Sequence, residues 1–334
     1  MFIVNSYTVA VILCVVTMLC WGSWANTQKL ASKSWRFQLF YWDYTIGVLL
    51  MALIFAFTMG SIGQNGRPFM QDLAQGNMES LVSALIGGIV FNIANLLLVA
   101  AIDIAGMAVA FPIGIGIALA WGVIVNYIAN PVGNPIVLFA GVALVVVAIV
   151  LDAFAYKKLP NQQGGVSTKG IVISIIAGIA MGFFYRFVAD SMTLNFSHPE
   201  TGKLTPYTAL VIFSLGIFLS NFIWNTWFMY KPISGESVTY SDYFKKGTPQ
   251  LHAVGILGGM IWNIGMSFSL ISAEQAGPAI SYGLGQGATL VAAAWGVFIW
   301  KEFRDAPKST NRLLYLMFAS FILGLMLIII ARIN

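Results

Sequence analysis

Residues 87–116 read GGIVFNIANLLLVAAIDIAGMAVAFPIGIG, and residues 258–287 read GGMIWNIGMSFSLISAEQAGPAISYGLGQG. Aligned without gaps, nine of these thirty positions are identical, among them Asn92/Asn263, Ile93/Ile264 and Gly106/Gly277. Asp103 stands opposite Glu274, a further acidic match. The repeat unit is an apolar helix pair that recurs after 171 residues. A membrane chain that repeats its own helices in this way is most simply a transporter assembled from two halves.

Working outward, apolar runs fill nearly all of the 334 residues; hydrophobic residues make up 59% and charged residues 9%. A soluble domain does not have that balance. Runs of about 20 residues match a hydrocarbon core of about 30 Å. Backbone polar groups in that core must bond within their own segment, which predicts an all-α membrane protein. Ten spans are expected, at about 6–28, 38–61, 79–102, 106–128, 133–156, 169–191, 205–229, 250–272, 278–300 and 312–332. The first has no positive charge before it and no small-residue cleavage site after it, so it reads as a retained helix rather than a signal peptide.

The net charge of +5 is partitioned by loop rather than gathered in a patch, which argues against a nucleic-acid partner. Thirteen Lys and Arg residues fall in the loops between spans 1–2, 3–4, 5–6, 7–8 and 9–10, against three on the other side. The positive-inside rule then puts both termini outside, in a cytoplasmic membrane of bacterial type. The halves, residues 1–160 and 161–334, begin on opposite sides and are expected to be inverted five-helix repeats. Their connection contains Pro160, Asn161, Gly164 and Gly165 and reads as flexible. Cys14 and Cys20 share the first span, which implies buried thiols and no disulfide framework.

No metal-ligand spacing, phosphate loop or catalytic triad is present, so neither an enzyme nor a cofactor is expected. The informative residues are the polar ones within the spans, because the bilayer makes them costly. Helical spacing groups Asn92, Asn95 and Asp103 on span 3, Asn263 and Glu274 on span 8, and Tyr282, Gln286 and Thr289 on span 9. Trp21, Trp24 and Gln28 share a face of span 1, and Tyr185 on span 6 joins them as expected lining. Amides and aromatic rings of this kind suit a small, neutral, hydrogen-bonding solute. Asn92 and Asn263 equally suit bonds between neighbouring helices. Gly283, Gly285 and Gly287 serve close packing or weaken span 9 so that it bends, and the same alternatives apply to Gly178 and Gly182.

Four ionisable residues are candidates for coupling or gating: Asp43, Asp103, Arg186 and Glu274. Asp43 sits one turn inside span 2 in an aromatic setting, where it either exchanges a proton or pairs with Arg36 or Lys33. Arg186 has Asp190 at i+4 or Glu274 across the bundle. Asp152, followed by Lys157 and Lys158, and His252, at a helix start, read as interfacial.

Trp295–Phe303 (WGVFIWKEF), after the glycine-rich span 9, resembles the end of the second half in the drug/metabolite transporter superfamily. The branch it resembles holds glucose/ribose porters, rhamnose–proton symporters and ureide permeases. Trp42-Asp43-Tyr44-Thr45 is similar to an aspartate motif of the ureide permeases, and Gly106 with Phe111–Leu119 is similar to the helix 3–4 region of rhamnose transporters. Trp121-Gly122-Val123 echoes Trp295-Gly296-Val297. The resemblance implies a central site between two inverted halves and proton-driven uptake of a neutral metabolite. A central loop of about a dozen residues, shorter than in ureide permeases, turns the expectation towards a monosaccharide, with a ureide, nucleobase or nucleoside as the alternative and an exporter or exchanger as a further one. The expected partners are the solute, protons and the lipid bilayer, in a monomer or weak homodimer.

Overall fold

The computed structural model describes residues 1–31, 35–105, 107–159, 167–232 and 235–333, except the side chains of Asp103, Met107 and Ala108. Ten helices are long and apolar enough to cross a membrane. We label them α1 (Tyr7–Ala31), α2 (Phe37–Phe57), α3 (Met78–Ala105), α4 (Met107–Ala129), α5 (Pro135–Lys157), α6 (Thr168–Ser191), α7 (Pro206–Tyr230), α8 (Pro249–Ala276), α9 (Pro278–Ile299) and α10 (Ser309–Ile330). Two short helices, Phe69–Gln75 and Tyr240–Lys246, lie in the connections. Among the described residues the β structure is an isolated bridge, Met192 to Leu204. The protein is an all-α integral membrane protein.

Local chemistry sets the helix starts. Proline opens α5, α7, α8 and α9, where its missing N–H costs nothing and its fixed φ suits the first turn. The Asn134 side chain accepts from the amides of Ile136 and Val137, and Thr248 accepts from Leu251, each capping orphan donors.

Small residues set the packing. α3 packs on α6 and α7, and α8 packs on α1 and α2; α4 lies on α6, α9 on α1, α2 on α7 and α5 on α10. The repeated Gly-Gly pair explains two of these contacts. A Cβ at Gly88 would collide with the Phe213 carbonyl of α7, and one at Gly259 with the Tyr44 carbonyl of α2. Gly178 and Gly182 do the same for α6, with positions 114 and 122 of α4 pressed against them.

Two helices are interrupted at one level. α1 breaks at Trp24, between Tyr7–Ser23 and Ala25–Ala31. α9 breaks after Gly285, resumes at Ala288–Ala294 and ends in a π-helical turn, Trp295–Ile299. The Thr289 hydroxyl donates to the Gln286 carbonyl at 3.0 Å, which satisfies one group freed by the break.

Candidate functional site

The two breaks frame a cavity. A chamber of about 180 Å³ is walled by Trp21 and Trp24 of α1, Phe91 and Asn95 of α3, Phe184 of α6, Trp262 of α8 and Gln286 of α9. Its described lining contains no Asp, Glu, Lys, Arg or His. It continues into a larger vestibule of about 460 Å³, sharing the walls at Gly22, Ala25, Phe111, Thr289 and Ala292. The vestibule runs past Asn26 and Gln28 to Lys29 and Glu302 at its mouth, on the side of the α1–α2, α5–α6 and α9–α10 connections.

The chamber is an aromatic box. Trp21 and Trp262 stack with centroids 5.8 Å apart and planes 11° apart, and the Trp21 Nε1 donates to the Trp262 carbonyl at 3.1 Å. Phe91 lies 4.5 Å from Trp262 and 5.0 Å from Phe184. Trp24 rests on Tyr44 at 4.8 Å. Gly285 is required here, because a Cβ would meet the Trp21 ring at 2.7 Å. Two amides enter this apolar surface. Asn95 donates to the Tyr41 hydroxyl at 3.1 Å, and Gln286, a residue 8% exposed, lines the chamber with no side-chain hydrogen bond to a described residue. An amide that faces a cavity without a protein partner is set to bond a ligand.

The structure separates the expected lining residues into two groups. Trp21, Trp24, Asn95 and Gln286 meet at the chamber, and Gln28 lines the vestibule. Asn92, Asn263, Tyr185 and Tyr282 are buried between helices, outside the lining of either cavity. Asn92 donates to the Ile217 carbonyl and Ser220 of α7, at 3.2 and 2.9 Å. Asn263 donates to Ser214 of α7 at 3.2 Å. Tyr282 donates to the carbonyls of Ala118 and Met181 at 3.0 and 3.2 Å, and Tyr185 to that of Ser269 at 3.2 Å. Phe91, Phe184 and Trp262, which complete the box, escaped the reading of polar residues. The signal for two of them was in the repeat, where Phe91 aligns with Trp262 as one aromatic for another.

The ionisable candidates are dispersed. Asp43 is 1% exposed and engaged by three groups: Trp35 Nε1 donates at 3.3 Å, the Tyr243 hydroxyl donates at 2.5 Å, and His252 Nδ1 lies at 2.8 Å. Its partner is His252 of α8, while Arg36 reaches Glu236 at 3.5 Å. Burial, and then the hydrogen bond to the Asp43 carboxylate, hold the Tyr243 phenol above its ordinary range. Arg186 pairs with Asp190 at 2.6 Å. Glu274 accepts from the Phe196 amide at 3.0 Å. Asp103 belongs to α3, and its side chain lies outside the described residues.

Asp152 differs most from its interfacial reading. It is 9% exposed, lines the vestibule and has an Oδ1 without a hydrogen-bond partner. Glu302 faces the same vestibule, bound by Lys29 Nζ at 2.6 Å and by the Tyr156 hydroxyl at 2.8 Å.

The far side of the bundle is tied together. Arg67 binds Asp72 at 2.8 Å and donates to the Pro199 carbonyl at 2.8 Å. Asp72 also accepts from the Thr205 amide at 2.7 Å. These bonds join the α2–α3 and α6–α7 connections.

Ten spans around a small chamber between interrupted helices describe a membrane carrier of small metabolites. Family comparison agrees. The ureide permease family model matches residues 40–164 and 161–331, so the chain belongs to that family. It is 25% identical to Ureide permease 1 of Arabidopsis thaliana over 382 residues, covering 97% of each chain. Against Ureide permease 2 of the same plant it is 26% identical over 387 residues, covering 96% of each. Probable ureide permease A3 of Vigna unguiculata is 23% identical over 361 residues, covering 86% of this chain and 94% of the relative. A solved crystal structure superposes with a TM-score of 0.60 over 97% of this chain and 98% of that one. At 12% identity it speaks to the fold alone.

Proposed function

We propose that this protein moves a neutral, planar, ureide-like or nucleobase-like solute across the membrane, coupled to protons, by alternating access between two inverted five-helix halves. The observation that carries the reading is the aromatic chamber with its unpaired Gln286 amide and no charged lining. At about 180 Å³ it is smaller than the roughly 300–1,000 Å³ of drug-sized sites, which favours a small metabolite. Flat ring faces at Trp21 and Trp262 suit a planar solute, and amides match ureido N–H and C=O groups. The relatives are named ureide permeases, so the monosaccharide expectation gives way to the ureide one.

The pairing of α3 with α6 and α7, answered by α8 with α1 and α2, supports the inverted halves. A vestibule on one side and tied connections on the other support a carrier caught open to one side. The basic-residue distribution makes the open side the cytosol.

Binding tests the reading. Three tryptophans line the chamber, so titration with allantoin is expected to change tryptophan emission saturably, and ribose is expected to leave it flat. Saturable change with ribose and none with allantoin would overturn the ureide assignment.

A further inference from the structure

We infer that Asp152 is the residue that carries the coupling proton and exchanges it with water in the vestibule. The inference rests on the ureide-transport reading for its cargo and goes beyond it in naming the ion site.

Among the acids whose side chains are described, the alternatives to Asp152 fall away in turn. Asp43 is held by Trp35, Tyr243 and His252 and lines neither cavity. Asp72 is bound by Arg67 and Thr205 within the tied far side. Glu274 accepts from the Phe196 amide at Oε1 and keeps Oε2 without a partner, but it lies off both cavities. Glu302 is engaged at one oxygen by Lys29 and at the other by Tyr156. Among the described acids Asp152 is the one that both lines the chamber or vestibule and keeps an oxygen without a partner. An ionised carboxylate in that position is costly, and a proton is the smallest ligand that relieves it.

The surroundings make the proton consequential. The charged residues of the described vestibule lining are Lys29, Asp152 and Glu302. With Asp152 ionised, two acids face one lysine; with Asp152 protonated, the set is neutral. Tyr156, one turn on from Asp152, adds a hydroxyl already given to Glu302. The helices packed on α5 bring no competing group. α4 offers Tyr127, bonded to the Gly133 carbonyl at the other end, and α10 offers Arg312 and Tyr315, both exposed. Lys157, Lys158, Lys301, Arg304, Asp305 and Lys308 are likewise exposed.

Lys29 closes α1 and Glu302 follows α9, so their ion pair spans the vestibule mouth between the two interrupted helices. Protonating Asp152 changes the field in which that pair sits. A proton that binds one state of the mouth better than the other drives the equilibrium between them. Oδ1 is enclosed, so in the state described here the proton passes between the Asp152 carboxyl and vestibule water at the part of the residue that lines the cavity, on the side the basic loops assign to the cytosol.

The test is uptake of labelled allantoin into proteoliposomes under an acid-outside gradient. A gradient of about one pH unit supports up to about tenfold accumulation per proton. Asp152→Asn is expected to let allantoin enter only until inside and outside are equal, and Asp152→Glu to restore accumulation. Accumulation by Asp152→Asn at the level of the parent overturns the proton site alone. So does accumulation in the parent that follows a sodium gradient and ignores pH. Loss of all entry in both Asp152 variants overturns it too, because a proton site is dispensable for downhill entry. No allantoin entry in the parent overturns the ureide reading, and this inference with it.

Discussion

Gln286 and Asn95 present amides to a chamber that is otherwise rings and methyl groups, and a solute hydrogen bond to either would be well shielded from water. Gln286→Ala and Asn95→Ala are each expected to cost about 1 kcal/mol of binding, or roughly fivefold in Kd, measured by tryptophan titration with allantoin. Unchanged Kd in both would remove the amides from the site. Asp43 has the opposite character, with donors from the α1–α2 connection, the Tyr240–Lys246 helix and α8 converging on one carboxylate. Asp43→Ala strips three groups of their acceptor. It is expected to destabilise the fold by about 3 kcal/mol, seen as a lower melting temperature in detergent. An unchanged melting temperature would show that the tie is not structural. Reading polar residues from sequence named Trp21, Trp24, Asn95 and Gln286, which line the chamber, together with Asn92, Asn263, Tyr185 and Tyr282, which bond between helices. Spacing gives the face of a helix, and both a cavity and a neighbouring helix reward a polar face. The identical Asn92/Asn263 pair binds α7, so identity between the halves tracked packing there, while the aligned Phe91/Trp262 pair tracked the chamber.

At the scale of elements, the decisive feature is that α1 and α9 break beside each other. The glycines at 283, 285 and 287 had two sequence readings, packing and bending, and the structure uses both: the helix stops after Gly285, and that residue also makes room for the Trp21 ring. Gly285→Val is expected to push the indole into the chamber and weaken allantoin binding about tenfold or more, the equivalent of about 1.4 kcal/mol. Affinity equal to the parent's would mean the ring's place is not set by this contact. The α1 break at Trp24 had no such warning. It lacks glycine or proline at the position itself, and the Trp24 backbone keeps helical dihedrals and its N–H bond to the Cys20 carbonyl. Helix starts were legible because proline and the capping residues act locally. The engagement of Asp43 with His252 joins residues 209 positions apart and had no local signal.

For the whole molecule, hydropathy was enough to predict ten spans, because the bilayer permits few alternatives for a chain this apolar. It was not enough to choose the cargo. A stacking surface with amides accepts sugars and bases alike in outline, and the difference lies in chamber size, in the two ring faces and in the family to which the chain belongs. The proposed function has a planar ureide cross the membrane through this chamber. Uptake of labelled allantoin into proteoliposomes, competed in turn by uracil, ribose and rhamnose, tests it most directly. Allantoin is expected to enter, uracil to suppress its entry, the two sugars to leave it unchanged, and Trp21→Ala to abolish it. Ribose entry with no allantoin entry, or allantoin entry unaffected by Trp21→Ala, would contradict it.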